Sequence, residues 1–433
     1  MTYPDVLEPI EQATRAELDA HQEAALSAIT RHAFENAPLV RQQWDAAGVT
    51  PSSIKSLADF IAKAPQIDKD DVRLFRDAHN DPSGGMSKLL PGETMSIGTT
   101  SGTTGDPTPV PNWIVAPSEV GYSRDIWHIG ARPGDYLTHM LFTFRGGHRR
   151  RGNAQIGITE ICYSIAPEEV ARAVEGSLRF RPTVWSMCST PVLLMLEGYF
   201  EKTGVDPADV FSSYKGAIFG GEPLSGRLKA LTESWGFEMF ETTSLGDVAG
   251  ATECLMHDGF HAYEDIALIE AIDPVTREPV ADGEIGELVV TTLVDRMTPL
   301  IRYATGDLTI IDRRPCGCGR NHARFKVLGR ASDQILVDGR SILPREIMGL
   351  VEVHSETRGA LFQIVRTDRE MATLRLRVGY DTARLNCSED TLRLRLHDQI
   401  ADALGIPLAI ELIDEQELLK LGPPHKIPRV TKA

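Results

Sequence analysis

The sequence predicts an α/β protein, with a large N-terminal domain built on parallel strands with an antiparallel subregion, and a small α+β C-terminal domain. Between residues 136 and 234, short apolar runs alternate with amphipathic stretches, the pattern of strands joined by crossover helices. From 260 to 311 the character changes to short apolar runs with Gly- or Pro-containing turns between them, so an antiparallel sheet region is expected. Beyond Gly329-Arg330 the strand and helix patterns follow in the order βαββαβ, which fits a compact open-faced sandwich. The expected domains are therefore 1–330 and 331–433.

Each element has its own signal. Thr14-Arg15-Ala16-Glu17 has the form of a capping box, and Leu18, Ala25, Leu26 and Ile29 then recur at helical spacing until Pro38. Leu57, Phe60, Ile61, Ile67 and Leu74 run through a helix and a loop broken by Pro65. Tyr136–Phe142, Val184–Met187 and Ala217–Phe219 read as strands. Pro167–Leu178, Pro191–Lys202 and Ser225–Ser234 read as helices. Ile266–Ile272, Gly286–Leu293 and Leu308–Ile311 are the short antiparallel strands, with Asp282-Gly283 in a turn. In the C-terminal part, strands are expected at Ile335–Val337, Leu361–Arg366, Thr373–Val378 and Leu408–Ile413. Helices are expected from Pro344 and over Glu389–Leu404, where Leu392, Leu396, Ile400 and Leu404 form the buried face.

With 433 residues, 42% hydrophobic and 24% charged, the chain has the composition of a soluble globular protein with a large core. Its net charge of −16 disfavours nonspecific nucleic-acid binding. No apolar run reaches transmembrane length and no signal peptide is apparent, so a cytoplasmic protein with reduced thiols is expected. Six cysteines in so long a chain do not form a disulfide framework.

Chemistry is concentrated in loops. Ser96-Ile97-Gly98-Thr99-Thr100-Ser101-Gly102-Thr103-Thr104-Gly105-Asp106-Pro107-Thr108 packs glycines and hydroxyl residues together. Glycines let backbone N–H groups converge on an anion, and hydroxyls add donors, so the loop suits a polyphosphate. It lacks the lysine of a GxxxxGK[ST] loop. Phe219-Gly220-Gly221-Glu222-Pro223 follows a strand, at the carboxyl end where α/β sheets bind ligands. Thr242-Thr243-Ser244-Leu245-Gly246-Asp247 is a second such loop. Asp307, in Tyr303-Ala304-Thr305-Gly306-Asp307, can accept hydrogen bonds from both hydroxyls of a ribose, and Arg330 is a permanent cation for the same nucleotide. Lys426, near the terminus, is a point charge suited to a carboxylate or phosphate in transit. Cys316-Gly317-Cys318-Gly319-Arg320 is a tight thiol pair, and Cys254, His257 and His261 lie upstream. Three thiolates and one of these imidazoles make a closed tetrahedral zinc site. Cys162, Cys188 and Cys387 read as simple thiols.

In this order, these segments resemble the adenylate-forming superfamily, and within it the phenylacetate–coenzyme A ligase family, over nearly the whole chain. Ser56-Leu57-Ala58-Asp59-Phe60 and Lys69-Asp70-Asp71-Val72-Arg73 look like that family's lead-in. Ser101–Thr108 looks like its phosphate loop and Ile218–Pro223 like its adenine-side segment. Asp307, Arg330, and Lys426 with Arg429-Val430 match its nucleotide and terminal-lysine motifs.

The resemblance implies ATP-dependent adenylation of an aromatic or arylacetic carboxylic acid, followed by thioester formation with coenzyme A. Ser101, Gly102, Thr103, Thr104, Gly105, Gly221, Glu222, Pro223, Thr243, Ser244, Asp307 and Arg330 would bind ATP. Asp247 would hold Mg²⁺ and Lys426 would stabilise the adenylation transition state. Asp333 falls where the family hinges, letting the C-terminal domain swing between half-reactions. Leu141–Arg151 resembles the segment lining the acyl pocket, with Phe142, Phe144 and Gly146 against the substrate, while Arg145, Arg149, Arg150 and Arg151 suit phosphates of coenzyme A or a solvated loop. Some family members carry Cys254, a His in a Gly-x-His segment like Gly259-Phe260-His261, and the Cys-x-Cys pair, which selects His261 as fourth ligand of a structural Zn²⁺. The family also implies a homodimer.

The chain departs from the pattern in places. Asp106 stands where Lys is usual, Thr243-Ser244-Leu245-Gly246-Asp247 replaces aromatic-Gly-x-Ser-Glu, and His425 replaces Gly. Two alternatives follow. One is a freestanding adenylation enzyme that passes its acyl group to a carrier protein or amine. The other is a noncatalytic nucleotide-binding protein.

Overall fold

A computed structural model describes residues 5–88, 90–92, 94–99, 108–113, 117–141, 155–246, 249–368, 370–421 and 427–432. The first long helix, Arg15–Asn36, begins where Thr14 Oγ1 accepts from the Glu17 N–H and Glu17 reaches back to the Thr14 N–H. Pro38 opens the next helix, Pro38–Ala46, so the chain turns there instead of continuing. Leu26, Ile29 and Ala33 pack with Trp44, Phe60, Val72 and Tyr303 in one core cluster. The stretch 57–79 forms two helices, Leu57–Lys63 and Lys69–His79. Between them Ile67 makes a parallel bridge to Tyr303, which pins the lead-in beside the segment that ends at Asp307.

Strands β1 (Met95–Thr99) and β2 (Pro109–Trp113) form an antiparallel hairpin, with Thr99 opposite Pro109. The main sheet contains eleven strands among the described residues. It uses β3 (Tyr136–Leu141), β4 (Thr159–Ser164), β5 (Val184–Cys188), β6 (Gly216–Gly220), β7 (Glu238–Leu245), β8 (Ala249–Glu253) and β9 (Phe260–His261). It continues through β10 (Ala267–Ile272), β11 (Ile285–Thr292), β12 (Tyr303–Asp312) and β13 (Arg324–Arg330). Spatial order is β10-β11-β12-β13-β9-β8-β7-β6-β5-β3-β4. From β4 to β7 the pairs are parallel; from β7 to β10 they are antiparallel. The antiparallel region is thus continuous with the parallel one.

The parallel half is apolar on both faces because helices cover both. Leu137, Val184, Ile218 and Phe240 pack against Ile126 and Ile129 of helix Glu119–Ile129. Their neighbours Trp185, Ala217, Phe219 and Met239 face Val170, Val174, Leu193 and Leu196 of helices Pro167–Phe180 and Thr190–Thr203.

After β13 a short turn, Ala331–Asp333, leads to a separate core. Here the βαββαβ expectation is corrected. Strand β14 (Ile335–Val337) pairs with β15 (Arg340–Ile342) and β17 (Glu370–Met371) in a three-stranded sheet of its own. The four-stranded sheet is β19-β18-β16-β20, built from β16 (Phe362–Arg366), β18 (Leu374–Tyr380), β19 (Leu408–Asp414) and β20 (Val430–Lys432). The physical reason is Asp338-Gly339, both at positive φ (48° and 74°), which folds β14 straight back on β15 as a hairpin. The vacated edge of the larger sheet is taken by β20, parallel to β16. Helices Pro344–Val351 and Glu389–Leu404 cover these sheets, the latter through Leu392, Leu396, Ile400 and Leu404. Among the described residues, no helix is long and apolar enough to cross a membrane.

Candidate active site and metal centre

The sheet changes from parallel to antiparallel pairing at β7, and the described parts of two predicted nucleotide loops, Gly221–Pro223 and Thr242–Gly246, adjoin that point. Gly220 ends β6 opposite Thr242 of β7, and a Cβ at Gly220 would lie 2.8 Å from Thr242 Cγ2. Gly221 follows at φ +99°, a conformation that glycine alone adopts without strain. The Gly221-Glu222-Pro223 corner is closed by the Leu224 N–H, which donates to Glu241 Oε1 at 2.8 Å. Thr243 and Ser244 lie on the last part of β7, opposite Ala251 and Gly250 of β8. Gly246, at φ +61°, packs so that a Cβ would sit 2.7 Å from Leu300 and 3.4 Å from Tyr303. The second loop therefore abuts the strand that carries Asp307.

Asp307 and Arg330 are opposite each other on β12 and β13, with Arg330 Nε 3.3 Å from Asp307 Oδ1. Gly306 is at φ +82° and its N–H donates to Glu287 Oε1 at 3.0 Å, while the Asp307 N–H donates to Thr305 Oγ1 at 3.1 Å. Asp333 lies three residues past Arg330 in the turn between the two cores. Glu222 does something motif reading did not anticipate. Its carboxylate, 7% exposed, pairs with Arg429 Nη2 at 2.6 Å. Arg429 also donates to the Ala360 carbonyl and lies over the Phe362 ring at 4.7 Å. Ile427, the neighbour of Lys426 in sequence, is buried with Leu361 and Leu418. Ser101, Gly102, Thr103, Thr104, Gly105, Phe142, Phe144, Gly146, Asp247 and Lys426 lie outside the described residues.

A buried acid supports this region from behind. Asp295 accepts from the Ser118 hydroxyl at 2.6 Å and from its N–H at 3.3 Å, at the start of helix Glu119–Ile129. Thr298, three residues on, donates to the Pro111 carbonyl of β2 at 3.0 Å. Burial pushes the Asp295 carboxyl up to about 6 against these two hydrogen bonds. The fold thus favours the neutral acid, and the stability it contributes is present below the ordinary carboxylate range and lost as pH rises through about 6. In urea unfolding from about pH 4 to pH 7, Asp295→Asn should gain stability relative to wild type as pH rises. Parallel profiles for the two proteins would refute this.

Cys254, His261, Cys316 and Cys318 come together at the other end of β8 and β9, with one ligand atom from each lying within 4.8 Å of all the others. Cys254 Sγ is 3.6 Å from Cys316 Sγ, and Cys318 Sγ is 3.4 Å from His261 Nε2. Ligands on a tetrahedral zinc with Zn–S bonds of about 2.3 Å stand roughly 3.8 Å apart, so the spacing fits the ion. His261 Nδ1 faces the His322 carbonyl at 3.2 Å; donation there leaves Nε2 as the ligand atom. His257 is turned away. Its Nδ1 meets Glu253 at 3.0 Å and its Nε2 meets Glu238 at 2.8 Å; the Glu253 hydrogen bond leads the effects that raise its pKa.

The residues following the thiol pair hold the N-terminal turn, a connection that sequence reading missed. Arg320, fully buried, donates through Nε and Nη2 to Glu11 at 3.0 and 2.7 Å. His322 Nε2 donates to the Ile10 carbonyl at 3.0 Å, and its Nδ1 accepts from the Glu264 N–H at 2.9 Å. Tyr263 and Thr252 both donate to Asp125 at 2.8 Å, and Thr252 Oγ1 lies 2.9 Å from Thr242 Oγ1. The Arg320 guanidinium lies over the Tyr263 ring at 5.5 Å, so a series of contacts leads from the segment after the thiol pair to Thr242 at the start of the second loop. Arg320 beside Cys318 was the available sequence signal; nothing in the sequence marked Glu11.

No protein-family model matches the chain. The phenylacetate–coenzyme A ligase of Thermus thermophilus is 30% identical over 448 aligned positions, covering 97% of this chain and 96% of that protein. The chain belongs to the phenylacetate–coenzyme A ligase family. The ligase of the same name from Aromatoleum evansii is 31% identical and covers 99% of this chain and 95% of its own length. Among solved structures, 2-hydroxyisobutyryl-CoA ligase in the postadenylation state, complexed with an acyl-adenylate, superimposes with a TM-score of 0.83 at 25% identity. That match covers 100% of this chain and 95% of the ligase. The same ligase in its thioesterification state, with acyl-adenylate and coenzyme A, gives a TM-score of 0.68 at 24% identity.

Proposed function

We propose that the protein is an AMP-forming acid–thiol ligase whose substrate is an aromatic or arylacetic carboxylic acid. The observation that carries this reading is the nucleotide corner. The Gly221–Pro223 turn and the end of β7 lie on neighbouring strands where the sheet changes pairing, Gly246 packs on Tyr303 of the strand that carries Asp307, and the chain aligns along nearly its whole length with phenylacetate–coenzyme A ligases. A carboxylate is a poor acyl donor because its leaving group would be an oxide. In the first half-reaction a carboxylate oxygen attacks the α-phosphorus of ATP and pyrophosphate departs. In the second, the thiol sulfur of coenzyme A attacks the acyl carbon, loses its proton, and AMP leaves.

Each residue acts by position and charge. The backbone and hydroxyls of Ser101, Gly102, Thr103, Thr104 and Gly105 hold the phosphates. Gly221 and Pro223 give the adenine a flat backbone edge, with Thr243 and Ser244 on its other side. Glu222 is better cast as the anchor of Arg429 than as a base contact, because its carboxylate is already paired. Asp307 accepts from the ribose hydroxyls and Arg330 orients Asp307. Asp247 would hold Mg²⁺, whose charge would offset that of the phosphates. Phe142, Phe144 and Gly146 line the acid pocket. Residues 331–433 form a mobile domain that turns about Asp333. The Cys254–His261–Cys316–Cys318 cluster would hold a structural Zn²⁺, four protein donors being the set of a structural site.

The test is pyrophosphate release with ATP, Mg²⁺ and a panel of aromatic acids, with and without coenzyme A. Sustained release that needs both one acid and coenzyme A is the expected result. Acid-dependent ATP–pyrophosphate exchange that ignores coenzyme A would replace the thiol with a carrier protein or an amine. ATP binding with no release from any acid would overturn the ligase reading.

A further inference from the structure

The two cores meet across a charged patch that begins on the helix following the Gly221–Pro223 corner. On the N-terminal side, helix Thr190–Thr203 contributes Glu197 and Glu201, and helix Gly226–Ser234 contributes Arg227. On the C-terminal side stand Arg358 and Arg384. Arg227 grips Glu197 in a two-point pair at 3.1 and 2.8 Å, and its Nε donates to the Arg358 carbonyl at 2.8 Å. Arg358 Nη1 sits between the two acids, 3.0 Å from Glu197 and 2.9 Å from Glu201. Arg384 completes the group on Glu201. The approach is close: a Cβ on Gly359 would lie 3.2 Å from Leu194. Glu197 and Arg358 are 11% and 15% exposed, so their attraction is only partly screened.

This patch has the chemistry of a releasable contact. It joins elements of two different cores through ion pairs, whose charged groups can be taken up by water when the elements separate. The arrangement it holds superimposes better on the postadenylation state of 2-hydroxyisobutyryl-CoA ligase than on that enzyme's thioesterification state (TM-scores of 0.83 and 0.68). In the same arrangement, the Glu222–Arg429 pair brings the segment after Lys426 against the Gly221–Pro223 corner.

Building on the proposed ligase function, we infer that Glu197, Glu201, Arg227, Arg358 and Arg384 are positioning residues that hold the C-terminal unit in the adenylation orientation. The cluster must open before the thiol of coenzyme A can react. It touches neither nucleotide nor acid; it acts by setting how often Lys426 is delivered to the phosphates.

Charge reversal at the half-exposed Glu201 tests this without disturbing either core. Glu201→Arg should slow ATP–pyrophosphate exchange about tenfold, the scale on which breaking a partly buried pair disfavours one orientation. Thioester formation from preformed, enzyme-bound acyl-adenylate should not slow. Adding Arg384→Glu should move the exchange rate back toward wild type. Equal slowing of both half-reactions, or no change in either, would overturn the inference. A second readout needs no substrate: dipolar distances between nitroxides on unnatural residues at positions 202 and 398 of the full chain. Glu201→Arg should broaden the wild-type distribution, and an unchanged distribution would likewise overturn the inference. If the wild type activates no acid, the ligase reading fails, while the distance measurement still decides whether the cluster sets orientation.

Discussion

Lys426→Ala lowers acid-dependent ATP–pyrophosphate exchange by at least roughly 10²–10³-fold, the cost of removing one preorganised donor from developing negative charge. As the carboxylate attacks, charge builds on the oxygens of the α-phosphate and on the departing pyrophosphate. A lysine delivered at that moment acts as a compact point charge. The chain beyond Lys426 is well anchored without it. Ile427 is buried against Leu361 and Leu418, Arg429 is paired with Glu222, and β20 runs beside β16. The alanine variant should therefore fold normally, with an unchanged thermal midpoint. Its thioester formation from preformed acyl-adenylate should stay near wild type, because the role proposed for the lysine is in the first half-reaction. Lys426→Arg should recover part of the exchange, since it keeps the charge and changes its shape. Exchange at wild-type rate in Lys426→Ala would refute the assignment.

Removing the metal is the second large effect. Cys316→Ser should take zinc content from one per chain to none and lower the thermal midpoint by roughly 6–12 °C, the shift that accompanies a loss of about 3 kcal/mol in a large domain. The loss would arise because the four donors of the proposed zinc site lie within 4.8 Å of one another, and without an ion the thiols of Cys254 and Cys316 would face each other in the interior. It extends beyond the knuckle. Arg320 and His322 hold Glu11 and Ile10, so the variant should also be cleaved faster by protease near the turn at residues 9–12. Exchange activity at low temperature should survive, because the proposed zinc role is structural and the four ligands are not among the residues assigned to ATP. Protein purified without chelator that contains no zinc, together with a harmless Cys316→Ser, would refute the site.

These two predictions rest on different kinds of legibility. Lys426 and the nucleotide loops could be proposed from the sequence because such chemistry needs specific residue types at short spacing, and short spacing survives in one dimension. Cys316-Gly317-Cys318 was readable for the same reason. The fourth ligand was not settled by spacing: His257 and His261 are both within reach in sequence. In the fold, β9 carries His261 to the thiols, while His257 is captured by Glu253 and Glu238.

Local periodicity also carried most of the secondary structure. The alternation of strands and helices through residue 234 and the capping box at Thr14 depend on neighbours a few positions away, so the chain alone determined them. It likewise determined the order of the nucleotide motifs. Pairing between distant segments was decided only in three dimensions. The sequence pattern could not tell that β14 would fold onto β15 and leave its expected place to β20, because strand partnership depends on competition for one sheet edge. Nor could it tell that Glu222 would meet Arg429, Glu11 meet Arg320, or Glu197 and Glu201 meet Arg358. Charged residues are common on any surface, and an ion pair has no signature until tertiary packing brings its two halves within a few ångströms.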